Sequence, residues 1–161
     1  MPVDREVFLA AMSNVAASVA AVTAYDPEKH PVGLTVSAFA AVSLDPQLVL
    51  ACIDQNSNTL QPIRASGGLT LNLLSEGSAH VASALASKDQ QKFDRIPYGM
   101  PESPKAGPVL VDDAFAYFEC ELVDLMEAGD HVVAIGQVTS GRMIDDRRPL
   151  VYWRRGFMSI L

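Results

Sequence analysis

Two cysteines and three histidines are all that 161 residues offer of the thiols and imidazoles that hold zinc or staple small folds. Cys52 and Cys120 lie inside apolar runs (LVLACI and YFECEL), so neither a disulfide framework nor a four-cysteine zinc site is available. Buried, reduced thiols in a cytoplasmic protein are the expectation. His30, His80 and His131 stand far apart, and neither HExxH nor GxSxG occurs, which argues against a zinc hydrolase or an activated serine. No GxGxxG leads from a strand into a helix, so a Rossmann domain drops out. Basic residues are scarce as well. Twelve Lys and Arg against nineteen Asp and Glu leave a formal charge of −7. A field of that sign repels phosphate backbones and anionic lipid, which argues against general nucleic-acid or membrane-surface binding.

Charge is missing altogether from Val7 to Tyr25. A secretory signal needs a basic start, whereas Asp4, Arg5 and Glu6 give an acidic balance. Ser13, Asn14, Ser18 and Thr23 interrupt the run, so a membrane span is poor too. A short helix followed by a buried strand fits better.

What the chain does have is apolar content, 49% of its residues, enough for one domain over residues 1–161 that buries about 70% of its unfolded surface. Asp4 is a candidate N-cap, with Phe8, Ala11, Met12 and Val15 at helical spacing. Val, Ala and Thr from Ser18 to Tyr25 suit a strand. A second strand is expected from Val32 to Ser43, and its small residues leave backbone open to close approach. Leu48 to Ile53 is apolar enough to be covered on both faces. A short helix runs past Pro62, Leu69 to Leu74 forms the next strand, and a helix follows through His80, Val81, Ala84 and Leu85. Residues 94–108 are too proline-rich for a regular element and read as a surface loop, a natural lid or partner contact. From Ala114 to Met126, Phe118, Cys120 and Leu122 alternate with Glu119 and Glu121, the period-two pattern of a half-exposed strand. A tight hairpin at Glu127–Asp130 returns the chain through His131 to Met143, and Leu150 to Trp153 is the last strand. About seven strands and three short helices describe a mainly β protein, an antiparallel barrel with helices at its ends. Arg142, Arg147, Arg148, Arg154 and Arg155 face an acidic run and read as solvated faces or intersubunit pairs.

Three polar clusters sit at strand ends. Thr35-Val36-Ser37-Ala38-Phe39 puts hydroxyls and small residues in an apolar strand, where a planar heteroaromatic ring could pair its rim with main-chain groups; on spacing alone an ordinary strand with Ser and Thr facing water is the commoner reading. Asn56-Ser57-Asn58-Thr59 opens a helix, which is either an anion site or simple capping. Gly129-Asp130-His131 could orient an imidazole toward a ligand, although hairpin tips are polar by default.

The segments GLTVSAFAAVSLDPQLVLACI, SNT, SGGLTLNLLSE, AGDHVVAIGQV and PLVYWRRGF, in that order, resemble the flavin reductase-like family from about Phe8 to Phe157. The resemblance implies an FMN-binding split β-barrel of antiparallel Greek-key type. It also implies reduction of FMN or FAD by NADH or NADPH for a separate flavin-dependent monooxygenase. Thr35, Val36, Ser37, Ala38 and Phe39 would line the isoalloxazine ring, with Ala41 and Val42 close by. Ser57, Asn58 and Thr59 would hold the flavin phosphate, and Ser87 and Lys88 would close over the phosphate or adenine side. His131 would border and orient the nicotinamide. Phe157 stands where many relatives have tyrosine; it can stack on a ring but offers no hydroxyl. A homodimer is implied, with the site near the subunit boundary, and no metal. The chain ends at Leu161, soon after Phe157, so no tail is expected over the site. Hydride transfer between stacked rings needs little acid–base machinery, which fits the lack of a strong catalytic pair. Other readings are a flavin-carrying electron-transfer or storage protein without direct NAD(P)H oxidation, and the same barrel turned to a deazaflavin or a pyridoxamine phosphate.

Overall fold

The computed structural model describes residues 1–160; Leu161, with the expectation about the chain's end, lies outside them. Asp4 caps α1 (Arg5–Ser13), its carboxylate accepting the Glu6 N–H at 2.7 Å. There follow β1 (Ala17–Ser18), β2 (Ala20–Tyr25), β3 (Pro31–Val36), β4 (Phe39–Leu44), β5 (Gln47–Asp54), α2 (Leu60–Ser66), β6 (Gly68–Leu74) and α3 (Ala79–Ala86). A 3-10 turn at Lys92–Arg95 precedes β7 (Ala114–Ala128), β8 (His131–Met143), β9 (Val151–Trp153) and β10 (Gly156–Met158).

Seven strands form one antiparallel sheet in the order β3-β2-β6-β7-β8-β5-β4, and β1, β9 and β10 form a second, smaller one. β3 and β4 are consecutive in the chain yet occupy opposite edges of the large sheet. Only Ser37 and Ala38 join them. From Val36 to Phe39 the chain makes three steps, no more than about 11 Å fully extended, so the sheet must curl until its edges come close. It is a split β-barrel, closed by the chain rather than by a continuous ladder; the Cys52 N–H donates to the Ala38 carbonyl at 2.9 Å, which carries the β4–β5 pairing one residue into the link. The single strand expected over 32–43 is therefore two, broken at the split.

β2 is buried on both faces. Ala20, Val22 and Ala24 face the barrel interior with Leu69, Leu71, Ile53 and Cys120. Val19 and Ala21 face an outer layer with Leu74, Val81 and Leu85, beneath α3. Because α2 and α3 pack over β2, β3 and β6, β5 is not covered on both sides as expected: Leu48, Val49 and Leu50 are half-buried.

Two expectations for the later part of the chain are overturned. Glu119 is fully buried, not solvent-facing, and the proline-rich loop is not free. The outer face of β2-β6-β7 carries Thr23, Thr70, Asn72 and Glu119, and the loop lies across it. Glu119 accepts the N–H groups of Glu102 (2.9 Å) and Ser103 (2.6 Å). Thr70 donates to the Gly107 carbonyl at 2.8 Å and Thr23 to that of Pro108 at 2.6 Å, while the Asn72 Oδ1 accepts the Leu110 N–H at 2.9 Å. Of the arginines, Arg147 pairs with Asp145 and caps the carbonyls of Asp112, Val111 and Ala114, and Arg154 reaches the Asn14 side chain.

Candidate functional site

The split opens into a cavity of about 530 Å³. Gly33 to Ala38, the end of β3 and the link to β4, form one wall, in which Ser37 and Ala38 are small and exposed. Opposite, the loop after β5 contributes Asn56, Ser57, Asn58 and Thr59, and the segment after α3 contributes Ser87, Lys88 and Lys92. His131 completes the ring of groups from the start of β8.

The β5–β8 ladder explains how distant clusters meet. Asp54 is the register partner of His131, so the hairpin tip arrives beside the loop that begins at Gln55. Two further bonds fix it there: the Gln55 N–H donates to the Asp130 carbonyl at 3.0 Å and its side-chain amide to that of Gly129 at 3.1 Å. Gly129 has φ 64°, the left-handed conformation that a two-residue hairpin turn demands. The His131 Nδ1 lies 2.7 Å from the Asp130 carboxylate. An ionised carboxylate can only accept, so Nδ1 carries the proton and Nε2 is the nitrogen left for a ligand. That hydrogen bond first, and the imidazole's charge second, hold the Asp130 carboxyl below its ordinary value.

Several hydroxyls are engaged inside the protein. Thr35 donates to the Ala82 carbonyl of α3 at 2.6 Å, which ties the cavity wall to the outer helix. Ser87 donates to the Ala84 carbonyl at 2.6 Å and ends α3. Ser57 accepts the Thr59 N–H at 3.1 Å, and Thr59 is buried. Asn58 and Lys88 are exposed at the rim.

Phe39, Ala41, Val42 and Phe157 do not line this cavity. Phe39 turns into the barrel core. Ala41 and Val42 lie exposed on β4, across the split from β3, where the ladder slips at a bulge between Ala41 and Ser43. Phe157 is held in the small sheet against Tyr152, ring centroids 5.3 Å apart, and packs on the outer core.

Lys92 and Asp54 line the cavity without having stood out in the sequence, and Cys52, expected as a buried thiol, is only half-buried and lines it too, whereas Cys120 is buried. Lys92 donates to the carbonyls of Leu85 (3.0 Å) and Ser87 (3.1 Å), and burial pushes its ammonium below the ordinary lysine value. Its signal was present in SKDQQK: two of the chain's four lysines, Lys88 and Lys92, stand four apart just after α3.

The family model described as "Flavin reductase like domain" matches residues 12–161. The chain belongs to the flavin reductase family. Among the curated relatives of this flavin reductase-like chain is the "Flavin reductase (NADH)" of Kitasatospora aureofaciens, 33% identical over 156 residues, 96% of this chain and 81% of that one. Another is "Flavin-dependent monooxygenase, reductase subunit HsaB" of Rhodococcus jostii, 33% identical over 98% of this chain and 79% of that one. Among solved structures, the Streptomyces globisporus NADH:FAD oxidoreductase SgcE6, in complex with NAD and FAD fragments, superposes with a TM-score of 0.89 at 26% identity. That likeness covers 100% of this chain and 97% of the other.

Proposed function

We propose that this protein oxidises NADH or NADPH to reduce FMN or FAD, and releases the reduced flavin to a separate flavin-dependent monooxygenase. One observation carries the reading: in a flavin reductase-family chain, a single cavity combines a small-residue backbone strip, a polar and cationic cradle and an oriented imidazole. The residues present fit a flavin. Main-chain groups from Gly33 to Ala38 suit the rim of a flat tricyclic ring. Ser57, Asn58, Lys88 and Lys92 suit its phosphate.

A bound flavin supplies the hydride acceptor at its N5 atom. The protein's own residues orient and shield. The strand-end strip sets the plane in which a ring lies, and Lys88 and Lys92 oppose an anionic tail within an otherwise acidic molecule. His131, with its proton fixed on Nδ1 by Asp130, offers Nε2 toward the nicotinamide side as a positioning residue. Ser37, Ala38, Asn58 and Lys88 are exposed at the rim, which suits a flavin that comes and goes rather than one sealed in as a carrier's prosthetic group.

Residues 1–161 are read as one domain that works as a homodimer in the cytoplasm, where NAD(P)H is supplied. α1 buries none of its residues although Phe8 and Met12 lie along it, and Val42 and Leu44 stand exposed on the edge strand β4. A second copy is the covering that these apolar faces suit. No helix among the described residues is long and apolar enough to cross a membrane.

Oxidation of NADH or NADPH, followed by loss of nicotinamide absorbance with FMN or FAD added, is the test. Turnover with at least one pair is expected. A yellow protein that holds flavin tightly yet oxidises neither nucleotide would overturn the reductase reading.

A further inference from the structure

A second cavity, of about 410 Å³, adjoins the first and shares Gly33, Asn58, Thr59 and Lys92 with it. We propose that this chamber receives the adenosine-phosphate half of FAD, which makes the protein selective for FAD over FMN. The inference rests on the reading of the first cavity as the flavin site.

Position is the first argument. Three of the four shared residues, Asn58, Thr59 and Lys92, belong to the phosphate cradle, while His131 lines the first cavity alone. A ligand that passes from one chamber to the other therefore continues beyond its first phosphate. FMN ends there and FAD does not. Lys92 lines both chambers, so its ammonium is placed to serve the pyrophosphate that joins the two halves.

The chemistry of the walls is the second. Phe93, Pro62 and Val32 give the chamber apolar surface for a flat base, and His30, Gln90 and Asp89 give it polar edges. His30 Nδ1 lies 3.2 Å from the Asp26 carboxylate, which fixes the proton on that nitrogen and leaves Nε2 as an acceptor suited to an exocyclic amine. Asp26 and Asp89 give the chamber carboxylate acceptors suited to ribose hydroxyls as donors. The volume falls within the ~300–1,000 Å³ typical of small-molecule chambers.

NADH carries the same adenosine-phosphate half, so the experiment must separate the two sources. Dissociation constants for FAD and FMN are measured by flavin fluorescence on the wild type and on Gln90→Trp, which fills the chamber from an exposed turn. KM values for NADH and reduced nicotinamide mononucleotide are measured on the same proteins. The expectation is that FAD binds about tenfold more tightly than FMN. Gln90→Trp should collapse that ratio toward one and leave the ratio of the two nucleotide KM values where it was. His30→Trp is the second variant, should Gln90→Trp not fold. Equal binding of FAD and FMN by the wild type, or a preference that survives both substitutions, overturns the proposal. So does a selective rise in the NADH KM, which would give the chamber to the nicotinamide dinucleotide. If the wild type binds neither flavin, the flavin reading of the first cavity falls and this inference with it, a result distinct from equal binding.

Discussion

Two irregular stretches of backbone, both polar and glycine- or proline-marked, have opposite fates. Residues 97–110 lie across the outer face of β2-β6-β7, where Thr23, Thr70, Asn72 and Glu119 take their carbonyls and N–H groups one by one. The rim of the split, at Ser37–Ala38, Asn56–Asn58 and Ser87–Lys88, faces a cavity instead. Irregular backbone must find partners outside the regular ladders. Where the protein supplies them from buried side chains, the segment is a structural cover; where the groups surround a cavity, they are available to a ligand. Mobility cannot be inferred from proline content alone, and the lid expected at 94–108 is a fastening.

Substitutions separate the two regions, because those in the cover should act on stability and those at the rim on binding. Gly107→Ala should be the most damaging. A Cβ there would collide with the backbone of Thr23 and Ala24, which cannot withdraw without breaking β2. A cost of about 3 kcal/mol is expected, read as a lower urea midpoint with flavin affinity per folded molecule unchanged. A midpoint within error of wild type would show that the loop is not pressed onto the sheet.

Glu119→Gln comes next. Each carboxylate oxygen accepts one loop N–H, and an amide can replace only one of them, leaving an NH2 against a donor. A loss of about 2 kcal/mol is expected. Faster hydrogen exchange at Glu102 and Ser103 should accompany it; unchanged exchange there would mean that something else holds the loop.

Both results bear on what the chain disclosed before its structure. Strand β7 was legible because Phe118, Cys120 and Leu122 alternate with the glutamates. Alternation tells which side a residue takes, though, and not what covers that side, so Glu119 was misplaced. The break at Ser37–Ala38 was hidden for a similar reason: both halves have strand composition, and only the sheet order puts them on opposite edges. The meeting of Ser57–Thr59 with His131 depends on the Asp54–His131 pairing, a contact between residues far apart in sequence. Spacing alone could not supply it; the resemblance of several segments in order could. Phe157 fell the other way, since the small sheet and Tyr152 hold it on the outer core. Lys92 lies four residues past Lys88, and only the fold of the segment after α3 turns it back to the same cavity.

At the rim, His131→Ala should leave the urea midpoint nearly unmoved, since its side chain is 43% exposed, and raise the nucleotide KM roughly tenfold. The flavin KM should rise less. Equal effects on both would contradict a place on the nicotinamide side.

Asp130→Asn should have the smallest effect, and it isolates the hydrogen bond from the imidazole. Asp130 has a folded-state pKa below the ordinary 3.8, chiefly because His131 donates to it. A depressed carboxyl adds stability that is complete above 3.8 and is lost as pH falls through the lower folded value. Around neutrality the contact is therefore intact. Both groups are exposed, so its contribution to stability is small and screened by salt. The asparagine can still accept from Nδ1 but takes the charge out of that hydrogen bond, so the ring is held less firmly. A rise of roughly twofold in the nucleotide KM is expected, with the flavin KM unmoved. A nucleotide KM equal to that of the wild type would reduce Asp130 to a turn residue, and the oriented imidazole at the rim would then rest on the β5–β8 register alone.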